Sequence, residues 1–184
     1  EAVTINITAV NDAPVLSTGS TLAYTENQAA TAINTAITIS DVDNNTLASA
    51  TVQITGNYQS AEDVLAFTNV GMGNIAGVWN SGTGTVTLSS AGATATVAEW
   101  QAALRAVTYA NSSDNPSVAA RTVSFTVHDG ALVSNTVTST VNVTAVNDVP
   151  TLSNLAGDAL VYAEGDGAVV IEQGGNATVA DVDS

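Results

Sequence analysis

Apolar and polar residues alternate with a clean period of two in two segments of this chain. Val123, Phe125 and Val127 alternate with Ser124 and Thr126, and Val141 and Val143 with Asn142 and Thr144. That spacing sends successive side chains to opposite faces of a half-buried strand. On this signal, strands are predicted at Leu22–Thr25, Ala36–Ser40, Ala50–Thr55, Val64–Asn69, Ile75–Asn80, Thr85–Ser89, Ala106–Ala110, Thr122–His128 and Thr136–Val146, with Gly, Asn and Asp turns between them. One segment, TVAEWQAALRA, breaks the pattern. Thr96 and Glu99 form a capping-box signature there, and Val97, Trp100, Ala103 and Leu104 share one helical face. The prediction is an all-β Greek-key β-sandwich with one short helix that leads directly into a strand.

The pattern also repeats at long range. TAVNDAPVLS at Thr8–Ser17 returns as TAVNDVPTLS at Thr144–Ser153, and TINITAV (Thr4–Val10) as TVNVTAV (Thr140–Val146). Downstream, LAYTEN (Leu22–Asn27) answers LVYAEG (Leu160–Gly165), and ISDVDN (Ile39–Asn44) answers VADVDS (Val179–Ser184). The offset grows from 136 to 138 to 140 residues, as two-residue insertions between strands produce. A period of this kind is the signature of a tandem array. The expected division is residues 1–10 as the last strand of a preceding repeat, 11–146 as one complete repeat, and 147–184 as a linker with the first strands of the next. A repeat of that length can bury its own core.

Composition removes several kinds of chemistry. The chain has no cysteine, two basic residues (Arg105 and Arg121) and a formal net charge of −15. It also lacks lysine, which excludes Schiff bases, a phosphate-loop lysine and Lys–Asn isopeptide cross-links. So acidic a chain repels nucleic-acid backbones and anionic membranes, so no nucleic-acid partner is expected. No stretch reaches membrane-spanning length, so membrane insertion by this fragment is not expected either. Neither a nucleophile–base pair nor a zinc set is identifiable, and no enzymatic role is expected. Targeting information is expected outside the fragment, which carries no signal peptide.

The carboxylates carry the sharper argument. Following strand directions from the Asn11-Asp12 corner, at about 3.3 Å per residue, collects Asn11, Asp12, Asp41, Asp43 and Asp129 at one end of the repeat. Glu26, Glu62, Asp63, Asn147 and Asp148 collect at the other, joined across the junction by Asp181 and Asp183. With no lysine or arginine expected beside them, such clusters repel strongly unless a hard divalent cation intervenes, and all-oxygen ligands suit calcium. An EF-hand loop does not fit, because Asp41, Asp43 and Asn45 are followed by Thr46 rather than glycine. The plainer alternative for DVD is an ordinary Asx turn, and Asp114 beside Asn115-Pro116 reads as turn chemistry. Trp79 is expected inside a strand, or else exposed with Tyr58 as a sugar-stacking face.

The NDxP corner, the acid after the first strand, the DxD after the second and the late DG turn resemble those of cadherin-like repeats. SAEDVLAF, TVAEWQAALRAVTYAN and RTVSFTVHDG are similar to the bacterial version found in giant calcium-dependent surface adhesins, many of them RTX-type exported proteins. The resemblance implies a cadherin/immunoglobulin-like sandwich in a tandem array, with Ca2+ held by Glu26, Glu62/Asp63, Asn11-Asp12, Asn147-Asp148, Asp41/Asp43, Asp181/Asp183 and Asp129. The linker departs from the family, with NDxP in place of the longer DxNDN of animal cadherins, and so carries one carboxylate fewer. The implied function is a calcium-rigidified extracellular spacer that projects adhesive modules from a bacterial surface and whose first partners are neighbouring repeats. Two alternatives stay open: a self-assembling filament or matrix subunit built from other copies, and a module that binds a cell-surface glycan or protein.

Overall fold

The computed structural model describes residues 3–155 and 159–183. Glu1, Ala2, Ala156–Asp158 and Ser184 lie outside the described residues, and with them the corresponding parts of the expected flanking strands. Two compact units divide the chain, Glu1–Ala145 and Val146–Ser184.

In the first unit the strands are β1 (Val15–Ser17), β2 (Thr21–Thr25), β3 (Thr31–Ala32), β4 (Thr38–Ser40), β5 (Ser49–Gly56), β6 (Asp63–Ala66), β7 (Ile75–Asn80), β8 (Thr85–Ser90), β9 (Thr108–Asn111), β10 (Arg121–His128) and β11 (Val137–Thr144). A six-stranded sheet runs in the order β2-β11-β10-β5-β8-β7, a three-stranded sheet in the order β3-β9-β6, and β1 pairs with β4. All neighbours are antiparallel except β2 and β11, which run parallel from Thr21↔Thr140 to Thr25↔Thr144. The period of two is realised as burial: Val123, Phe125 and Val127 of β10 join Ala50, Val52 and Ile54 of β5 in one core with Leu65, Leu88, Trp100, Leu104 and Tyr109. The result is an all-β sandwich with one short helix, as the alternation predicts.

The helix, α1, spans Val97–Arg105 and buries Trp100, Ala103 and Leu104. Its capping box is complete: Glu99 N–H donates to Thr96 Oγ1 at 3.2 Å, and Thr96 N–H donates to Glu99 Oε2 at 2.7 Å. Thr96→Ala is therefore expected to cost about 1 kcal/mol in chemical denaturation. The backbone hydrogen bond from Thr96, reinforced by its hydroxyl, holds the Glu99 carboxyl below its ordinary range. A depressed carboxyl contributes stability above its unfolded-state pKa and loses it as pH falls through the folded one. The stability gap between wild type and Glu99→Gln should accordingly close on acidification, read from denaturation midpoints across pH.

Two predicted strand ends fail where an asparagine side chain intercepts the backbone, and a third, Ala106–Ala110, starts at Thr108 because Ala106 caps the C-terminus of α1. Val64–Asn69 stops at Ala66, because Asn69 Oδ1 accepts from Met72 N–H at 2.9 Å while its amide donates to Ile75 O at 2.8 Å. Ala36–Ser40 starts at Thr38, because Asn34 Oδ1 takes the Ala36 and Ile37 N–H groups at 3.0 and 2.9 Å. Such local bonds compete directly with a strand ladder. Residues 3–10, expected as a strand, form none and are exposed.

The second unit repeats the opening of the first. Strands β12 (Thr151–Ser153) and β13 (Thr178–Ala180) pair with Leu152 opposite Val179, as β1 and β4 pair with Leu16 opposite Ile39. The left-handed residues recur as well: Thr18 (φ 73°) corresponds to Asn154 (φ 63°), and Asn27 (φ 58°) to Gly165 (φ 95°). A glycine adopts that last conformation without the Cβ clash that Asn27 tolerates.

Candidate metal centre

The opening corner of the first unit is assembled from three loops. Pro14 is buried and β1 pairs with β4, so the Asn11-Asp12 corner is held beside the loop that follows β4. Asp12 N–H donates to Asp43 Oδ2 at 2.7 Å, Asn11 Nδ2 donates to Asp129 Oδ2 at 2.8 Å, and Asn44 Nδ2 donates to Asn11 Oδ1 at 2.8 Å. Within the DVD loop, Asp41 Oδ1 accepts from the N–H groups of Asp43 and Asn44 at 3.0 and 2.9 Å. That is the Asx turn of the plainer reading, and it occupies only one oxygen of Asp41. The other, Oδ2, is buried and has no hydrogen-bond partner among the described residues. A buried carboxylate oxygen without a partner is costly, and a hard cation is one group that satisfies it.

Asp129 caps the turn after β10. Its Oδ1 accepts from Ala131 and Leu132 N–H at 2.6 Å each. Desolvation pushes its carboxyl upward, but the hydrogen bonds from Asn11, Leu132 and Ala131, with the neighbouring His128, outweigh it and hold the carboxyl below its ordinary value. Asp129 is thus anionic at neutral pH. His128 Nδ1 accepts from Gly130 N–H at 2.8 Å and serves the same turn.

Both basic side chains are engaged away from this corner. Arg105 Nε donates to Ile37 O at 2.9 Å. Arg121 is fully buried, with Nε at 3.1 Å from Asp63 Oδ2 and Nη2 at 3.2 Å from Glu62 Oε2. Asn11, Asp12, Asp41, Asp43 and Asp129 therefore meet with no ion pair to arginine among the described residues.

Glu62 and Asp63 stand differently. The expectation of carboxylates with no arginine nearby is corrected here, because the chain folds Arg121 onto both. Asp63 is also buried, and its Oδ1 accepts from Tyr109 Oη at 2.6 Å and Asn111 Nδ2 at 3.1 Å. Burial first, and the bond to Asp63 second, push the Tyr109 phenol far above its ordinary pKa. Arg121 Nη1 completes its set on the Ser117 and Ala119 carbonyls. The arrangement is a hydrogen-bonded network in which one guanidinium serves two carboxylates.

Glu26 is buried at the end of β2, where its N–H donates to Thr144 O at 2.9 Å. A carboxylate oxygen of Asp114 lies within 4.8 Å of one of Glu26, a spacing at which two acids could share a metal ion. Asp114, read from the sequence as turn chemistry, is the acid that the strand-tracing missed, since it lies in an irregular loop that no period locates. Asn44 was missed too; its place in DVDN is the only signal for it.

In the second unit, Asn147, Asp148, Asp181 and Asp183 reproduce the part of the first corner formed by Asn11, Asp12, Asp41 and Asp43. Asp148 N–H donates to Asp183 Oδ2 at 2.5 Å, Asn147 Nδ2 to Asp148 O at 2.7 Å, and Asp183 N–H to Asp181 Oδ1 at 3.2 Å. The equivalents in the first unit are Asp12 to Asp43, Asn11 to Asp12 O, and Asp43 to Asp41.

Trp79 packs partly buried against the core, edge-to-face with Tyr58 at 6.3 Å between ring centroids. Tyr58 Oη donates to Ser81 O at 2.5 Å, which pins the ring locally. No helix among the described residues is long and apolar enough to cross a membrane. Comparison with protein-family models, with curated proteins and with solved structures returned no match to this chain.

Proposed function

We propose that this chain is part of a calcium-stiffened extracellular spacer, a tandem array that projects adhesive modules from a bacterial surface. The observation that carries the reading is the orphaned Oδ2 of Asp41 inside a corner built from Asn11, Asp12, Asp43 and Asp129. Calcium there would take oxygens from Asp41, Asp43, Asp12, Asp129 and Asn11, neutralise their mutual repulsion and lock the NDxP corner onto the sandwich. Residues 3–10 enter the first unit through that corner, so locking it fixes the direction of the entering chain. The recurrence of the corner at Asn147, Asp148, Asp181 and Asp183 fits one such lock per repeat. The role is mechanical and non-catalytic, and its first partners are neighbouring repeats.

At a calcium concentration c, binding to the folded state alone stabilises it by RT ln(1 + c/Kd), about 0.4 kcal/mol at a concentration equal to Kd and about 1.4 kcal/mol at a tenfold excess. Modules of this kind have Kd values of roughly 10⁻⁴–10⁻³ M. Millimolar calcium should therefore raise the melting temperature, EDTA should reverse the rise, and Asp41→Asn should abolish most of it while Asp166→Asn leaves it intact. A melting curve indifferent to calcium would sink the reading. The glycan-binding alternative gains no support from Trp79 and Tyr58, which pack on each other and on the core.

A further inference from the structure

The six-stranded sheet ends at β7, and no strand among the described residues pairs with the outer side of β7. Which of its backbone groups face that side follows from β8. Gly84 O accepts from Ile54 N–H at 2.9 Å and Ser90 N–H donates to Ala48 O at 3.0 Å, so the even-numbered residues of β8 bond towards β5 and the odd-numbered ones towards β7. Opposite Ser89, Thr87 and Thr85 stand Ala76, Val78 and Asn80. Ile75, Gly77 and Trp79 therefore turn their N–H and C=O groups to the open side. Those of Ile75 are engaged locally, its N–H donating to Met72 O at 3.4 Å and its carbonyl accepting from Asn69 Nδ2 at 2.8 Å. Those of Gly77 and Trp79 line the edge.

Sheet edges are ordinarily blunted by a charge, a proline, a bulge or brevity. β7 carries none of these devices: its six residues, IAGVWN, pair with β8 in unbroken register and include neither a charge nor a proline. The whole stretch from Val64 to Ala98 contains no Asp, Glu, Lys, Arg or His, in a chain of net charge −15. On the solvent face of β7, Val78 is 69 % exposed. On its core face Trp79 is half-buried, and a Cβ built on Gly77 would meet Phe67 Cδ1 at 2.8 Å, so the half-buried Phe67 covers that glycine.

We infer that β7 of one copy pairs antiparallel with β7 of a second copy about a two-fold axis through Val78. In that register Gly77 of each copy exchanges both main-chain bonds with Trp79 of the other, so every edge group named above is satisfied. Val78 meets its own counterpart in the non-hydrogen-bonded pair, where side chains come closest. Trp79 of each copy stands opposite Gly77 of the other and lies against the Phe67 that covers it, an aromatic filling the place a glycine leaves at a sheet edge. The occupant is a second copy because the edge is self-complementary in this register. Charge points the same way: so acidic a chain repels its own copies wherever carboxylates are displayed, and β7 lies in a stretch that displays none. The contact is isologous and closes as a dimer, and its small area makes it a weak one. The inference rests on the sheet edge and not on the calcium reading.

In sedimentation velocity, the wild type should shift from monomer to dimer with rising concentration and go no further. Val78→Lys and Val78→Glu should each stay monomeric with unchanged melting curves, because the side chain is exposed and like charges would stand directly opposite each other. Mixing the two variants should restore a dimer, since opposite charges then face across the axis. The chain has no cysteine, so single cysteines read the register without background. Val78→Cys should oxidise to a cross-linked dimer, and Ala76→Cys should cross-link with Asn80→Cys but not with itself. A wild type monomeric at every concentration, a Val78→Lys chain that dimerises as the wild type does, or self cross-linking of Ala76→Cys equal to that of the mixture would each overturn the inference.

Discussion

Arg121→Ala should destabilise the first unit by about 3–5 kcal/mol, the usual cost of removing one partner from a buried ion pair. Folded domains have only about 5–15 kcal/mol in total, so the variant should be largely unfolded in mild denaturant. The reason lies with what remains. Asp63 is buried and keeps only the Tyr109 hydroxyl, the Asn111 amide and the Gln59 N–H as donors once Nε is gone, and the Ser117 and Ala119 carbonyls lose their donor as well. Arg105→Ala serves as the contrast: that half-buried guanidinium reaches the Ile37 carbonyl with no ion pair among the described residues, and its loss should cost much less. Replacing Asp63 and Arg121 together by apolar residues should recover part of the loss, because the uncompensated charge goes with them. Urea midpoints for the three variants, at equal slopes, decide the matter.

Trp100→Ala should cost a similar amount, about 3–5 kcal/mol, by opening a cavity where α1 packs on the sandwich. Trp100 is fully buried and among the largest side chains of the core. Its indole N–H also donates to Leu47 O at 2.9 Å, which ties the helix to the loop before β5. Trp100→Phe separates the two contributions. It fills most of the volume but strands the Leu47 carbonyl, so about 1–3 kcal/mol of the loss should persist. Denaturation monitored through the remaining tryptophan, Trp79, would read both variants.

The strands and the helix were legible because each is written in a local period. Val123/Phe125/Val127 and the Thr96–Glu99 box announce themselves within a few residues, and both appear where the pattern places them. Strand ends were less legible: Asn34 and Asn69 end ladders by side-chain bonds that the alternation does not encode. The parallel seam between β2 and β11 was not legible at all, since it joins segments more than a hundred residues apart. Among the acids, the corner residues were placed together by strand direction alone, and Asp12, Asp43, Asn11 and Asp129 meet there. Strand direction could not show that Arg121 would be folded onto Glu62 and Asp63, because which strand-end charge faces inward depends on register rather than composition. Arg121 opens a strand whose alternate residues are all buried, so its period of two did mark it as inward-facing. A buried arginine in so acidic a chain calls for carboxylate partners, and that signal was available.

Calcium stiffening of the array requires an ion at the Asn11-Asp12 corner. Crystals grown in calcium and measured for anomalous scattering test it most directly. The expected result is an anomalous peak bonded to Asp41 Oδ2, within an all-oxygen shell at about 2.3–2.6 Å drawn from Asp41, Asp43, Asp12, Asp129 and Asn11. A well-ordered corner with no anomalous peak at millimolar calcium, its Asp41 oxygen bound only by water, would contradict it.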